Sequence, residues 1–142
     1  MKLEFELVPD SCWYSNLRSI LTPKQWDIVR KEAYGRAKGK CMICGVPTTR
    51  LEAHERWSYD EENAVQKLND VVAICKSCHE VIHIGRTQLM GNEERACAHF
   101  MKVNNCSYAE YRKALGEANG LHARRNKIAE WNLDLSYLKK FN

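Results

Sequence analysis

Two cysteine pairs in the middle of the chain have the residue types and the spacing of a metal site. Cys41 and Cys44 form the first pair, and Cys75 and Cys78 form the second after 30 intervening residues. Zn²⁺ binds four thiolates tetrahedrally, and a Cys-x-x-Cys turn supplies two of them from one short segment. Gly45 lets the backbone turn sharply behind the first pair. The spacing therefore predicts one structural zinc ion held by all four cysteines.

Two disulfides within these motifs are the competing interpretation. A Cys-x-x-Cys disulfide is usually a redox device, and two of them are unexpected without a secretion signal. The segment from Met1 to Glu6 carries acids where such a signal would be apolar. Of the seven cysteines, four ligands leave three free thiols: Cys12, Cys97 and Cys106. An odd number of free thiols predicts a reducing compartment, so we expect a cytoplasmic protein.

Three of the five histidines lie in the same stretch and predict a second site. His79 and His83 are four residues apart, so on a helix that begins near Lys76 both face the same direction. His54 ends a short alternation of apolar and polar residues, which is typical of a strand. A closed four-cysteine site needs none of these imidazoles. The alternative is one mixed site in which His79 or His83 replaces a cysteine.

The order of these motifs resembles the HNH nuclease family. The shared pattern is Cys-x-x-Cys-Gly, then Glu-x-His, then Cys-x-x-Cys-His-x-x-x-His. A bacterial and phage subgroup of HNH endonucleases is similar in more detail over roughly Trp13 to Leu138. The segments that carry this likeness are His54-Glu55-Arg56-Trp57, Ala73-Ile74-Cys75, Cys78 to Gly85, and His99 to Asn104. The resemblance implies a ββα-metal finger, with two strands, a helix and one divalent ion at their junction, that hydrolyses phosphodiester bonds.

The resemblance also implies a role for each residue of the second site. His54, His79 and His83 bind the catalytic ion, which would be Mg²⁺, Mn²⁺, Ni²⁺ or Zn²⁺. Glu55 takes the position of the base that abstracts a proton from water. Histidine is the usual base in this family, whereas a carboxylate with a pKa of about 4.3 needs burial to act at neutral pH. The catalytic set is therefore predicted as His54, Glu55, His79 and His83.

A second register of the same motif remains open. In that register His54 is the base, Ala53 falls on a ligand position, and His79, His83 and Asp70 hold the ion. Neighbouring residues of a strand point to opposite faces, so local bending decides between the registers. Either Asn69 or Asp70 matches the middle asparagine for which the family is named.

Composition limits the class of protein. The 142 residues are 44% hydrophobic and 28% charged, which is ordinary for one soluble globular domain. A net charge of +4 and an isoelectric point near 8.7 are compatible with a polyanionic partner. No apolar run approaches the roughly 18 residues of a membrane span. We expect DNA or another nucleic acid as partner and no membrane contact, and the sequence leaves the oligomeric state undefined.

Helical flanks are predicted on both sides of the finger. Thr22-Pro23 is typical of a helix start and Gly39 of a stop, which predicts a helix over 22–38 with Trp26, Val29, Ala33 and Ala37 inside. We expect solvent on its basic face, and phosphate is the alternative; that face carries Lys24, Arg30, Lys31, Arg36 and Lys38. The second flank, 92–131, contains three expected helices: one capped by Asn92, one opened by a Ser107-x-x-Glu110 capping box and ended by Gly116 or Gly120, and one over Leu121–Trp131.

Strand patterns complete the expected fold. They predict a strand over Leu3–Val8, a first finger strand from Leu51 to Trp57 and a second over Val71–Ile74. A short helix over Ala64–Leu68 and a metal-binding helix from Lys76 to Ile84, stopped by Gly85, are also expected. Leu133–Leu138 is a candidate strand partner for Leu3–Leu7, and the acidic residues 58–62 form a loop that either repels phosphate or orders a basic neighbour. Trp13, Leu17 and Ile20 are the predicted core residues near the start.

These elements predict an α+β protein, in which a zinc-stabilised ββα-metal finger over 41–85 is embedded in a mainly helical single domain of residues 1–142. The leading functional interpretation is a metal-dependent DNA endonuclease. The alternatives are a zinc-stabilised nucleic-acid-binding or regulatory protein without catalysis, and an interaction scaffold whose histidines are structural.

Overall fold

A three-stranded sheet lies at the centre of the chain, of which a computed structural model describes all 142 residues. Strand β1 spans Glu52–Asp60 and pairs antiparallel with β2, Val65–Ile74, while β3, Asn132–Asp134, runs parallel to the start of β2. The α-helices are α1 Leu17–Ile20, α2 Pro23–Ala37, α3 Lys76–Ile82, α4 Ile84–Leu89, α5 Glu93–Asn104 and α6 Tyr108–Arg125. The short 3₁₀ turns are Asp10–Cys12 and Ser136–Phe141. The predicted mixed α+β class is confirmed.

The hairpin of β1 and β2 is longer than expected. Both strands extend to Asp60 and Val65, so the predicted helix over Ala64–Leu68 is wrong, because pairing with both β1 and β3 outweighs its local helical pattern. Asp60 closes the turn by accepting the backbone N–H groups of Glu62 and Asn63, both at 3.1 Å. The predicted loop over 58–62 is therefore divided: residues 58–60 belong to β1, and Glu61 and Glu62 lie in the hairpin turn.

Helix α2 begins and ends as its sequence predicts. The Thr22 side chain accepts the backbone N–H of Gln25, and the Gln25 side chain returns a bond to the Thr22 backbone. Lys38 and Gly39, with φ of 53° and 77°, end the helix in left-handed conformations. The four predicted inward residues of α2 are all buried, and they pack with Leu68, Val71 and Ala73 of β2.

The helix after β2, for which the sequence predicted metal binding, is shorter than expected. It stops at Ile82, because the backbone at His83 leaves the helical region with φ −96° and ψ 52°. Gly85 lies inside α4 and does not act as the stop. The break lets the Thr87 hydroxyl donate to the Glu80 carbonyl at 2.7 Å. His83 consequently sits at a corner between two helices.

The second helical flank differs from its prediction in the number of helices. The Ser107–Glu110 capping box is present, but α6 continues through Gly116 and Gly120 to Arg125. Two helical glycines cost only about 1 kcal/mol each, which the packing of Tyr111 and Leu115 offsets. The predicted helix over Leu121–Trp131 is therefore wrong, since its first half belongs to α6. Asn92 precedes α5 as expected, although its side chain makes no capping hydrogen bond.

The two chain ends also pack differently from the prediction. Residues 3–8 form no strand; instead Leu3 exchanges two hydrogen bonds with the Asn104 side chain, and the Glu6 N–H donates to the Ile82 carbonyl. The C-terminal strand pairs with β2 and not with the N-terminal segment. Near the start, Leu17 is buried as predicted, whereas Trp13 and Ile20 are 62% and 40% exposed. The sheet separates two apolar cores, one against α2 and one against α3, α5 and α6.

Candidate metal centres

The four cysteines of the two Cys-x-x-Cys motifs converge on one point. Cys41 and Cys44 lie in the loop after α2, Cys75 caps the start of α3, and Cys78 lies in its first turn. Their sulfurs all lie within 4.8 Å of one another, and no cysteine of the chain forms a disulfide. Four clustered thiols on two turns match the donor set of a tetrahedral zinc site. The cluster could hold a structural metal such as zinc.

Backbone amides surround these sulfurs as a thiolate requires. The N–H groups of Ile43 and Cys44 point at the Cys41 sulfur at 3.4 and 3.5 Å, and that of Cys78 points at the Cys75 sulfur at 3.4 Å. A hydrogen bond shared with Cys78 lowers the pKa of Cys41 and raises that of Cys78. Burial raises the pKa of Cys75 to about 11. A cation is therefore needed before all four thiols can ionise together.

His99 is a neighbour of this cluster that the sequence did not indicate as such. Its Nε2 lies 3.2 Å from the Cys78 sulfur, and in the Nε2–H tautomer it donates to that sulfur. Burial lowers the pKa of His99, which favours the neutral ring. His99 comes from α5, 21 residues beyond Cys78, and no fixed spacing links the two positions.

The three histidines of the finger form a second cluster beside the first. His54 comes from β1, His79 from α3 and His83 from the break after α3. Their ring centroids are 4.8 to 5.3 Å apart, and each offers a nitrogen within 4.8 Å of the others. The structure thus brings together the three histidines that the sequence proposed as ligands. It gives no support to a mixed site, because cysteines and histidines form separate groups.

Two carboxylates lie behind these rings, and neither was a predicted site residue. Glu52 Oε1 lies 2.7 Å from His79 Nδ1, and Glu6 Oε1 lies 3.1 Å from His54 Nε2. Neither the other nitrogen of His54 nor that of His79 has a hydrogen-bond partner, so each ring keeps one nitrogen for an ion. Metal-binding histidines usually have such a carboxylate on the outer nitrogen. Glu52 is detectable in sequence, since it shares the His54 face of β1 by period two, but Glu6 is 48 residues from His54.

Burial keeps two of the rings neutral. It lowers the pKa of His79, with the nearby Glu52 carboxylate opposing the shift. It lowers the pKa of His83 to about 3, and the His79 and His54 rings add to this effect. A neutral imidazole is the form that binds a metal ion. Both side chains are therefore in the ligand form at neutral pH.

Glu55, the predicted base, lies on the opposite face of β1 from His54. Its carboxylate accepts the backbone N–H of the buried Leu17 at 2.8 Å, and burial raises its pKa. The structure does not bring this carboxylate to the histidine cluster. The hydrogen bond from Leu17 indicates a structural role for the Glu55 carboxylate.

The residues of the alternative register also lie outside the cluster. The Asp70 carboxylate accepts hydrogen bonds from Arg36, from its neighbour Val71 and from Tyr137. Asn69 is exposed at the irregularity of the β1–β2 register. Ala53 packs against the core on the α2 side of the sheet. Of the candidates for this register, only the histidines surround the site.

Ion pairs account for much of the remaining charge near the finger. Glu61 at the hairpin tip holds Arg124 and Arg125 of α6, so the acidic segment orders a basic neighbour, as one of the two interpretations expected. On α2, Arg30 pairs with Asp27, and Arg36 pairs with Glu32 and Asp70. These pairs favour the solvated interpretation of the α2 face.

Comparison with known proteins adds no identification: no protein-family model, curated protein or solved structure matches the chain. No helix is both long enough and apolar enough to cross a membrane.

Proposed function

We propose that the chain is a metal-dependent endonuclease of the HNH type, which hydrolyses phosphodiester bonds of DNA at the cluster of His54, His79 and His83. The observation that carries the proposal is the convergence of three imidazoles beside a separate four-cysteine cluster. A four-thiolate zinc site is closed and structural, whereas a three-histidine site leaves positions for water and substrate.

The residues at the second site fit a divalent ion. His79 and His83 are neutral because of burial, and His54 is 4% exposed. All three rings are therefore partly shielded from solvent. Glu52 and Glu6 each accept one ring N–H, from His79 and His54 respectively, and fix those rings. When bound, such an ion supplies a Lewis acid for the phosphoryl oxygens and a lowered pKa for a coordinated water.

The chain's own residues hold the histidine rings in their positions. The break after α3 aims His83 at the two other rings, and β1 presents His54 from the sheet. The proposal assigns no proton transfer to Glu55, because its carboxylate is engaged with Leu17. The sequence resemblance to HNH fingers supports the proposal, because two strands and a helix surround the site here as well.

The test is a plasmid-nicking assay with Mg²⁺, Mn²⁺, Ni²⁺ or Zn²⁺. Wild-type protein should nick plasmid with at least one ion, and His83→Ala should not, while it retains zinc in the cysteine site. The enzyme interpretation fails if wild type and His83→Ala are both inactive with every ion. DNA binding without cleavage would then favour the binding module, and the absence of both would favour the scaffold.

A further inference from the structure

A groove beside the cysteine cluster has a strongly one-sided charge. Its cavity of about 690 Å³ is lined by twelve residues, and none of them is an aspartate or a glutamate. Four of the lining residues are long cations, namely Lys2, Arg50, Lys76 and Lys102. His99, which faces the Cys78 sulfur, lies in the same wall.

None of these four cations has an acidic partner, a property that they share with most lysines of the chain but not with most of its arginines. Arg30, Arg36, Arg95 and Arg124 each form an ion pair at 3.2 Å or less. No ion pair or side-chain hydrogen bond involves the four groove cations, and all four are exposed. They come from four separate segments, so neither a single helix repeat nor a charge run explains their convergence.

The groove borders the segments that carry the histidine cluster, although none of the three histidines lines it. Lys76 is the first residue of α3, and His79 follows three residues later on the same side of the helix. Arg50 lies two residues before Glu52, and the Glu52 carboxylate contacts His79. A ligand that spans Arg50 and Lys76 would therefore lie next to the proposed cleavage centre.

We propose that this groove binds the phosphodiester backbone of a DNA strand on its way to the histidine cluster, an inference that rests on the proposed function for its choice of ligand. Unpaired cations along an open groove suit a chain of evenly spaced phosphates, and each neutralised phosphate releases counterions. The contacts are to the backbone, so they position the strand and carry no base preference.

A structural interpretation of the same cations must be separated from this one. Four thiolates around Zn²⁺ carry a net negative charge, and nearby cations would offset it. If that were their only role, removing them would weaken zinc retention and leave DNA affinity unaffected. The experiment therefore needs a zinc measurement beside the binding measurement.

The test compares two triple variants in a His83→Ala background, which prevents cleavage. The groove variant is Arg50→Gln/Lys76→Gln/Lys102→Gln. The matched control, Lys24→Gln/Lys31→Gln/Lys127→Gln, removes the same charge from exposed positions outside the groove. Binding to a short fluorescent DNA duplex is followed by anisotropy between about 50 and 200 mM salt.

The groove variant should weaken binding on the order of tenfold per cation at about 0.1 M salt, and make the slope of log K against log[salt] shallower by roughly 2.7. The control should stay close to its parent, with unchanged zinc content in both variants. If both triples weaken binding equally, or the groove triple binds normally, the proposal is overturned.

Two further outcomes of the experiment are loss of zinc from the groove triple and failure of the nicking assay. If the groove triple loses zinc, Lys2→Gln/Arg50→Gln is used against Lys24→Gln/Lys31→Gln, since neither groove position adjoins a cysteine in sequence. That pair should make the slope shallower by roughly 1.8, and an unchanged slope overturns the proposal. Failure of the nicking assay together with selective loss of binding in the groove variant would reject the nuclease function and keep the groove.

Discussion

At the residue scale, the carboxylates of Glu52 and Glu6 fix the orientation of the histidine rings that they contact. Glu52 accepts the His79 Nδ1–H at 2.7 Å and so fixes the tautomer in which Nε2 is free. Glu52→Gln should weaken binding of a divalent ion at the histidine site about 10- to 100-fold, because the amide is a poorer acceptor. Titration calorimetry with the cysteine site already filled measures this change.

Glu62→Gln is the matched control for that substitution. Glu62 is exposed near the hairpin tip and forms no ion pair, so its loss should leave the affinity unchanged. Equal affinities for wild type and Glu52→Gln would show that Glu52 does not support the site.

Glu55 gives a second prediction at this scale, and it contrasts two substitutions. Glu55→Gln keeps an oxygen for the Leu17 N–H, so stability and cleavage should both stay close to wild type. Glu55→Ala leaves that buried N–H without a partner and should cost about 1 to 3 kcal/mol of unfolding free energy. Chemical denaturation and the nicking assay measure the two effects.

A different outcome for Glu55→Gln would restore the role implied by the family resemblance. General-base catalysis contributes roughly 10²- to 10⁴-fold, so a loss of that size with normal stability would assign the base to Glu55. It would also require its carboxylate to leave Leu17 during the reaction.

At the element scale, α3 joins both clusters, because it carries Cys78 in its first turn and His79 at its middle, and His83 follows directly after its end. Cys75→Ser should lower the melting temperature strongly and release zinc, since it removes a scaffold ligand that caps α3. His83→Ala should keep zinc and most of the melting temperature while losing cleavage. Calorimetry and metal analysis on both proteins test the contrast, and similar melting losses would make His83 a structural residue.

The elements that the sequence predicted well are those with a local cause. The capping residues Thr22 and Ser107 and the helical spacing of Trp26 and Val29 define their helices without help from distant residues. The strand over Val65–Leu68, where a helix was expected, and the continuation of α6 through Gly116 depend on pairing and packing with distant segments, which no local pattern contains.

The residues of the candidate sites also divide into those with a local cause and those that depend on distant segments. The two Cys-x-x-Cys turns and the pair His79 and His83 have short spacings imposed by geometry. The sequence alone could therefore predict them as candidate ligands. Glu6 and His99 reach their clusters only through packing of the N-terminal segment and of α5 against the finger. His54 and Glu55 point to opposite faces because β1 pairs regularly with β2 from Glu52 to Arg56 and the irregularity comes only after Arg56, which the sequence alone left open.

At the scale of the whole molecule, burial of the histidine cluster links pH to stability. The folded pKa of His83 is lowered to about 3 by burial, whereas an unfolded histidine titrates near pH 6.5. Below about pH 6.5 the unfolded chain gains a proton that the folded protein does not accept. The stability that depends on neutral His83 is therefore complete above the unfolded pKa and is lost progressively as pH falls toward 3.

A comparison with His83→Gln isolates this contribution, since glutamine does not titrate and losses elsewhere, including those at the cysteine site, cancel in the difference. Between pH 7 and pH 5 the unfolding free energy of wild type should fall by about 2 kcal/mol more than that of His83→Gln. Urea titrations of both proteins, each with one equivalent of zinc, provide the two curves. If the difference between the curves is independent of pH, then folding does not lower the pKa of His83, and burial does not keep this ring in the neutral form that binds a metal ion.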